Sequence, residues 1–407
     1  MYWRAVVAAL ACAVVATPMA GRPERSVRDV PCPGAVARPA SARPHPSPPV
    51  PPPAGAGERL RTAGLAVPAG ATRPPAVTAD SWLVADLDTG AVLGGCGPHE
   101  YGRPASVQKL LLVAAVMPRL DPNRVVEVTE ADMDFEPGSS AVGLVRGGRY
   151  RIDTLWLGLL LNSGNDAANV LARLGGGTAA AGVAGMNAEA RRLGAYRTHA
   201  ATPSGLDGPG QVTTAYDLAL IARADFTRPD FRRYVASRQA WIPPQPRLHQ
   251  AGYGIQNDNQ LLYRYRGALG GKTGYTDLAR HSFVGAAQRD GRRLLVTLLG
   301  ADASPQRGWE QGAALLDWGF AQPRSATVGR LVPPPQPLGG SPAATGRATG
   351  GPAPVAAEAA STAAGDRSTP RLVGAIGVIA AMLVAALAGA WWWNGRRIGR
   401  RRGDLDA

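Results

Sequence analysis

Lysine is the residue that marks the chemistry of this sequence. Of 44 Lys and Arg residues in 407, only Lys109 and Lys272 are lysines. Arginine keeps its proton in a protein, whereas a buried lysine can lose one and act as a base. A chain this biased to arginine keeps lysine where guanidinium will not serve. Lys109 stands three residues after Ser106, so on a helix the two side chains share one face, a turn apart. A neutral amine there can take the hydroxyl proton and make Ser106 a nucleophile. Lys272 opens Lys272-Thr273-Gly274-Tyr275 at a strand edge, where Gly274 leaves room for a substrate backbone. Ser163-Gly164-Asn165 falls at a break between two helical patterns. S-x-x-K and S-x-N are each common alone. Followed by K-T-G in this order, they form a specific set of acyl-transfer residues.

The elements that must hold these residues are legible around them. Trp82–Asp86 and Ala91–Leu93 flank Asp88-Thr89-Gly90 as a hairpin. Residues 104–117 are nearly all apolar after Lys109 and predict a buried helix stopped by Pro118. Asp153 is placed to cap a helix through Leu161. A second helix runs from Asp166 to Leu174 and ends at Gly175. Thr213 or Thr214 caps a helix to Ala224. Ser282–Ala287 and Leu294–Leu299 alternate around Arg289-Asp290-Gly291-Arg292, a second hairpin, and an amphipathic helix carries Trp309, Ala313, Leu316 and Phe320. The expected fold is α/β: an antiparallel sheet flanked by helices, with an inserted helical subdomain.

With these motifs in place, residues 78–322 resemble the serine D-alanyl-D-alanine carboxypeptidases, the low-molecular-mass penicillin-binding proteins of the β-lactamase/transpeptidase-like superfamily. Beyond the three motifs, Pro104-Ala105-Ser106, Leu160-Leu161-Asn162-Ser163-Gly164-Asn165-Asp166, Ser204-Gly205-Leu206-Asp207-Gly208 and Asp217-Leu218-Ala219 carry the likeness. The resemblance implies removal of the terminal D-Ala from peptidoglycan stem peptides through an acyl-enzyme, with β-lactams as covalent inhibitors and no cofactor. It implies that Ser106 is acylated, that Lys109 is its base, and that Ser163 and Lys272 relay a proton to the leaving D-Ala. Asn165 then holds the substrate amide, Lys272 and Thr273 meet the terminal carboxylate, and the Ser106 and Tyr275 N–H groups form the oxyanion hole. One departure stands out. Where many members carry a carboxylate-binding Arg, this chain reads Gly300-Ala301-Asp302-Ala303, so that role falls to Arg280 or Arg307, or is missing.

Rival chemistries find less support. Five histidines (45, 99, 199, 249 and 281) and no G-x-S-x-G elbow disfavour a Ser-His-Asp hydrolase. No H-E-x-x-H or paired Cys spacing predicts a metal site. A class A β-lactamase needs a Glu on a loop before K-T-G; the one Glu between Asn165 and Lys272 is Glu189, read as a helix residue on a solvated face. A non-catalytic wall-binding protein of the same fold is a further alternative, disfavoured by the intact motif residues.

The ends of the chain point to export. Residues 1–20 read as a secretory signal, with Arg4 before an apolar run. Residues 21–77 are Pro-rich and expected to be disordered, and residues 323–370 form a low-complexity linker. Leu372–Trp393 is 22 residues without a charge, about 33 Å as a helix, and five Arg follow in the basic tail 394–407. The expectation is one transmembrane helix over 371–393, with the catalytic domain outside the cell. The net charge of +14 is spread over arginines without a basic helix interleaved with aromatics, so nucleic acid is not an expected partner. Cys12 lies in the leader, leaving Cys32 and Cys96 as a candidate disulfide.

Overall fold

The computed structural model describes residues 29–36, 44, 46 and 50–332. The expected signal, transmembrane segment and basic tail lie outside these residues. Among the described residues no helix is long and apolar enough to cross a membrane.

The sheet has seven strands: β1 (Leu65–Ala66), β2 (Ser81–Asp86), β3 (Ala91–Cys96), β4 (Ala268–Thr276), β5 (Arg280–Arg289), β6 (Arg292–Ala301) and β7 (Gly329–Arg330). Their order is β1-β3-β2-β6-β5-β4, with β7 beside β3, and every pairing is antiparallel. Between β3 and β4 the chain leaves the sheet and builds a helical part. Its main helices are α1 (Lys109–Val116), α2 (Ile152–Leu161), α3 (Asn165–Gly176), α4 (Ala179–Arg192), α5 (Ala215–Thr227), α6 (Pro229–Val235) and the short α7 (Leu261–Arg264). After β6 comes α8 (Gly308–Ala321).

All six residues of β2 are buried, because both faces of the sheet are covered. Alternation sorts them. Trp82 and Val84 join Phe283, Leu315 and Trp318 under α8, while Leu83 and Ala85 join the apolar residues of α1 and α5. On the α5 side, Thr297 Oγ1 in β6 donates to the Ala215 carbonyl at 2.7 Å. Thr214 caps α5, accepting from Asp217 N at 3.0 Å. Asp153 is not a cap: it sits inside the first turn of α2, paired with Arg151 at 2.7 Å, and Arg151 is the flanking residue. Helix α3 runs past Gly175 and stops at Gly177, whose φ of 87° breaks the repeat.

The folded unit is larger at both ends than residues 78–322. Leu60, Ala66 and Val77 are buried, and β1 pairs with β3, so part of the Pro-rich segment belongs to the domain. Beyond residue 322, β7 pairs with β3, Val328 and Leu331 are buried, and Tyr216 Oη donates to the Arg330 carbonyl at 2.8 Å. Composition hides these contacts, since sparse apolar residues among Pro and Gly still have sheet edge to cover.

Cys32 and Cys96 are joined, with Cα atoms 5.9 Å apart, inside the range a disulfide allows. The bond fixes residues 29–36 to β3 across a sequence separation of 64. On a chain-entropy account, removing it costs roughly 4 kcal/mol. A Cys32→Ala/Cys96→Ala double variant is expected to melt well below the oxidised protein. Reductant should lower the melting temperature of the wild type alone.

Candidate active site

The nucleophile sits at a tight entry to α1. A 3-10 turn over Ala105–Gln108 leads into Lys109, and Ala105 adopts a φ of 48°, costly for a residue with a Cβ. The Ser204-Gly205 stretch packs on this turn: a Cβ at Gly205 would lie 1.9 Å from the Ala105 carbonyl oxygen. The turn presents Ser106 while Lys109 stays wholly buried beneath it.

Lys109 Nζ donates to Asn165 Oδ1 at 2.8 Å and to the Ser204 carbonyl at 2.7 Å, and lies 2.8 Å from Ser106 Oγ. In the neutral amine those two acceptors take both N–H bonds, which leaves the lone pair for the Ser106 hydroxyl proton. Burial, with the nearby Lys272 charge, pushes the Lys109 pKa well below its ordinary value, and Asp166 opposes the shift only in part. A buried amine inclined to be neutral and held on a serine hydroxyl can remove that hydroxyl's proton.

The second motif bridges α2 and α3. Ser163 takes a φ of 66°, a strained state of order 1–3 kcal/mol that persists only where its surroundings enforce it. Asn165 N donates to the Ser140 carbonyl at 2.9 Å and Asn165 Nδ2 to Ser139 Oγ at 3.0 Å. Asp166 then accepts from the backbone N–H groups of Val142, Gly143 and Leu144, each at 2.9 Å, which locks that loop to the start of α3. Ser163 Oγ is buried without a hydrogen-bond partner among the described residues, so it keeps its capacity for a proton.

The third motif lies on β4, the edge strand of the sheet. Its inner side pairs with β5, Lys272 opposite Val284 and Tyr275 opposite His281. The other edge faces the first two motifs. A Cβ at Gly274 would come within 2.8 Å of Ser106 N, so only glycine lets the strand pass this near the nucleophile's amide. Burial holds the Lys272 pKa down to about 8, against the pull of Asp258, and its Nζ donates to the Thr273 carbonyl at 2.7 Å. Tyr275 is exposed, with its ring 4.8 Å from His281 and its hydroxyl donating to Asp277 at 3.0 Å.

Ser106, Ser163, Thr273, Gly274 and Tyr275 line one cleft of about 550 Å3. Lys109, Asn165 and Lys272 lie buried at its wall. All eight residues expected from sequence therefore converge. The cleft has further members: Ser140, Asp258, His281 and Arg307. Burial pushes the Asp258 carboxyl up, while Lys272 pulls it down. Ser140 and Asp258 carry no motif signal, because tertiary packing brings them in from distant loops. Ser204 contributes its carbonyl, which no side-chain pattern could reveal. Glu189 is not on a solvated face. It is buried in α4, paired with Arg192 at 2.5 Å, and does not line the cleft. Of the two candidates to bind a carboxylate, Arg280 is already held by Asp80 and by Asp302 at 3.0 Å, whereas Arg307 lines the cleft and is exposed.

The family model of the D-alanyl-D-alanine carboxypeptidases, peptidase family S11, matches residues 69–303. The chain belongs to this family. It is 46% identical over 269 residues to the D-alanyl-D-alanine carboxypeptidase DacB2 of Mycobacterium tuberculosis, covering 65% of this chain and 90% of that protein. Against DacD of Escherichia coli the identity is 33% over 258 residues, covering 61% of this chain and 64% of the relative. A crystal structure of a D-alanyl-D-alanine carboxypeptidase from M. tuberculosis superposes with a TM-score of 0.61 at 44% identity, over 65% of this chain and 99% of that one. A Streptomyces DD-transpeptidase superposes with a TM-score of 0.58 at 25% identity, over 61% of this chain and the whole of the other. The architecture is thus the penicillin-binding, transpeptidase-like α/β fold, and the enzyme is a serine-type D-alanyl-D-alanine carboxypeptidase.

Proposed function

We propose that this enzyme removes the C-terminal D-Ala from peptidoglycan stem peptides through an acyl–Ser106 intermediate. The observation that carries the residue assignment is the buried Lys109 amine, 2.8 Å from Ser106 Oγ. Ser106 Oγ attacks the carbonyl of the penultimate D-Ala and its proton passes to Lys109 Nζ. The Ser106 and Tyr275 N–H groups take the developing oxyanion. The C–N bond breaks, and the leaving D-Ala nitrogen receives, through Ser163 with Lys272 behind it, the proton that Lys109 took, which returns Lys109 to its neutral form. Asn165 orients the substrate amide. Water then attacks the ester carbonyl and gives a proton to Lys109, the acyl C–Oγ bond breaks, and Lys109 passes that proton back to Ser106 Oγ. The chemistry needs neither metal nor cofactor.

Arg307 and Thr273 are the proposed seat of the terminal carboxylate. Arg280, engaged by two carboxylates, is a structural residue in this reading. The test is D-Ala release from an N-acylated peptide ending in D-Ala-D-Ala. Arg307→Ala should raise KM about tenfold with a smaller change in kcat, the cost of losing one charge-assisted contact. Removing the substrate's carboxylate as an amide should erase that difference. If amidated and free peptides respond alike to Arg307→Ala, the carboxylate binds elsewhere.

We further propose that the domain lies outside the cell, held by the apolar segment 371–393 with its arginines in the cytoplasm. Because β7 belongs to the fold, a soluble form should be cut after Val332 rather than after Gln322. The form ending at Val332 is expected in the soluble fraction with full activity. Its recovery with membranes would remove the single-anchor reading.

A further inference from the structure

A second binding surface lies beside the cleft, on the hairpin of Gln239–Ile242 and Tyr253–Gln256. The register pairs Gln239 with Gln256 and Trp241 with Gly254 on one face, and Ala240 with Ile255 and Ile242 with Tyr253 on the other. Ile242 and Ile255 are buried in the core. The outer face is solvent-exposed, and Trp241 is 63% exposed, the largest such fraction among the large apolar residues described. Its indole is not loose: a Cβ at Gly252 would stand 2.8 Å from Trp241 Cζ2, so the ring lies against that backbone. Beside it, Gly254 leaves open space, the nearest atom to an added Cβ being the Ala240 carbonyl at 4.0 Å. The result is a shallow cavity of about 410 Å3 whose lining contains no charged residue.

We propose that this face binds a neutral sugar ring of the glycan to which the stem peptide is attached. A propped, exposed indole offers an apolar plate of the kind that packs on the C–H face of a pyranose. The Gln239 and Gln256 amides flank it, each able to donate two hydrogen bonds and accept two, which suits hydroxyl and acetamido groups. The uncharged lining disfavours phosphate, carboxylate and ammonium ligands. Position supports the link to catalysis. Tyr253 Oη donates to the carbonyls of Val142 at 2.9 Å and Gly143 at 3.0 Å, fixing the hairpin to the loop that Asp166 locks at the active site. Gln256 lies two residues from Asp258, a cleft residue, so about 7 Å of chain separates the surfaces.

The binding arm of the test stands alone, and the catalytic arm rests on the proposed function. The full-length enzyme is titrated calorimetrically with a β-1,4-linked N-acetylglucosamine tetrasaccharide. Saturable binding is expected, reduced about tenfold or more by Trp241→Ala, as for loss of an aromatic anchor. Gly254→Val fills the cavity at a backbone position that tolerates a side chain, and should reduce binding equally. Both variants should hydrolyse a free D-Ala-D-Ala peptide as the wild type does, and show a raised KM for the same peptide carried on a glycan. Wild type that does not bind the tetrasaccharide overturns the proposal. So does binding that both variants retain, or self-association that Trp241→Ala abolishes, which would make the face a contact between copies. An enzyme that binds the sugar but releases no D-Ala would sink the catalytic reading and leave this one standing.

Discussion

Replacing Lys109 by arginine is expected to lower acylation of Ser106 by about four orders of magnitude, the upper range for loss of a general base. The argument rests on protons rather than on shape. Lys109 is wholly buried, its amine fixed by two acceptors, Asn165 Oδ1 at 2.8 Å and the Ser204 carbonyl at 2.7 Å, with Ser106 Oγ 2.8 Å away. Burial and the Lys272 charge both favour the neutral amine, the form that accepts a proton. Guanidinium stays charged under the same pressure and has no lone pair to offer. It also leaves two cations facing each other in a dry wall. Labelling with a fluorescent penicillin measures acylation directly, and circular dichroism shows whether the variant folds. A folded Lys109→Arg protein that labels at near wild-type rate would show that another group deprotonates Ser106.

The residues of this site were legible in sequence to the extent that their chemistry is local. Ser106 and Lys109 must stand one helical turn apart, and Gly274 must follow Lys272 on a strand that crowds Ser106 N. Such spacings survive as motifs. Hydrogen bonds to backbone do not: the Ser204 carbonyl beneath Lys109 has no side-chain signature, although Gly205 beside it marks the close approach. Asp258 enters the cleft only through tertiary packing, and packing also separates Arg307, which lines the cleft, from Arg280, the other candidate the sequence offered. Glu189 shows the opposite limit. Its Arg-rich neighbourhood reads as a solvated face, yet the helix packs so that the carboxylate is buried against Arg192. At the chain ends, proline content concealed β1, and a run of small residues concealed β7.

A penicilloyl–Ser106 adduct is expected to last minutes or longer, while a peptide ending in D-Ala-D-Ala is turned over repeatedly. Both reactions begin with the same attack, so the difference lies in the second step. After peptide acylation the D-Ala leaves and water can take its place beside Lys109. After penicillin acylation the expelled amine remains tethered to the acyl group and obstructs that approach. Fast hydrolysis would then need a carboxylate that activates water from another side, as a β-lactamase provides. Glu189 cannot do so from the interior of α4, paired with Arg192. Asp258 does line the cleft, and burial raises its pKa, but the charge it interacts with is that of Lys272, whereas Lys109 beside Ser106 feels Asp166 and not Asp258. Asp258→Asn should therefore leave the adduct lifetime within about twofold of wild type, since no base is lost. Mass spectrometry of the intact protein after brief penicillin exposure reads the adduct and its decay. Decay within seconds, with many penicillins consumed per enzyme and no D-Ala released from peptide, would reassign the enzyme as a β-lactamase. If Asp258→Asn then slowed that decay, Asp258 would be the base.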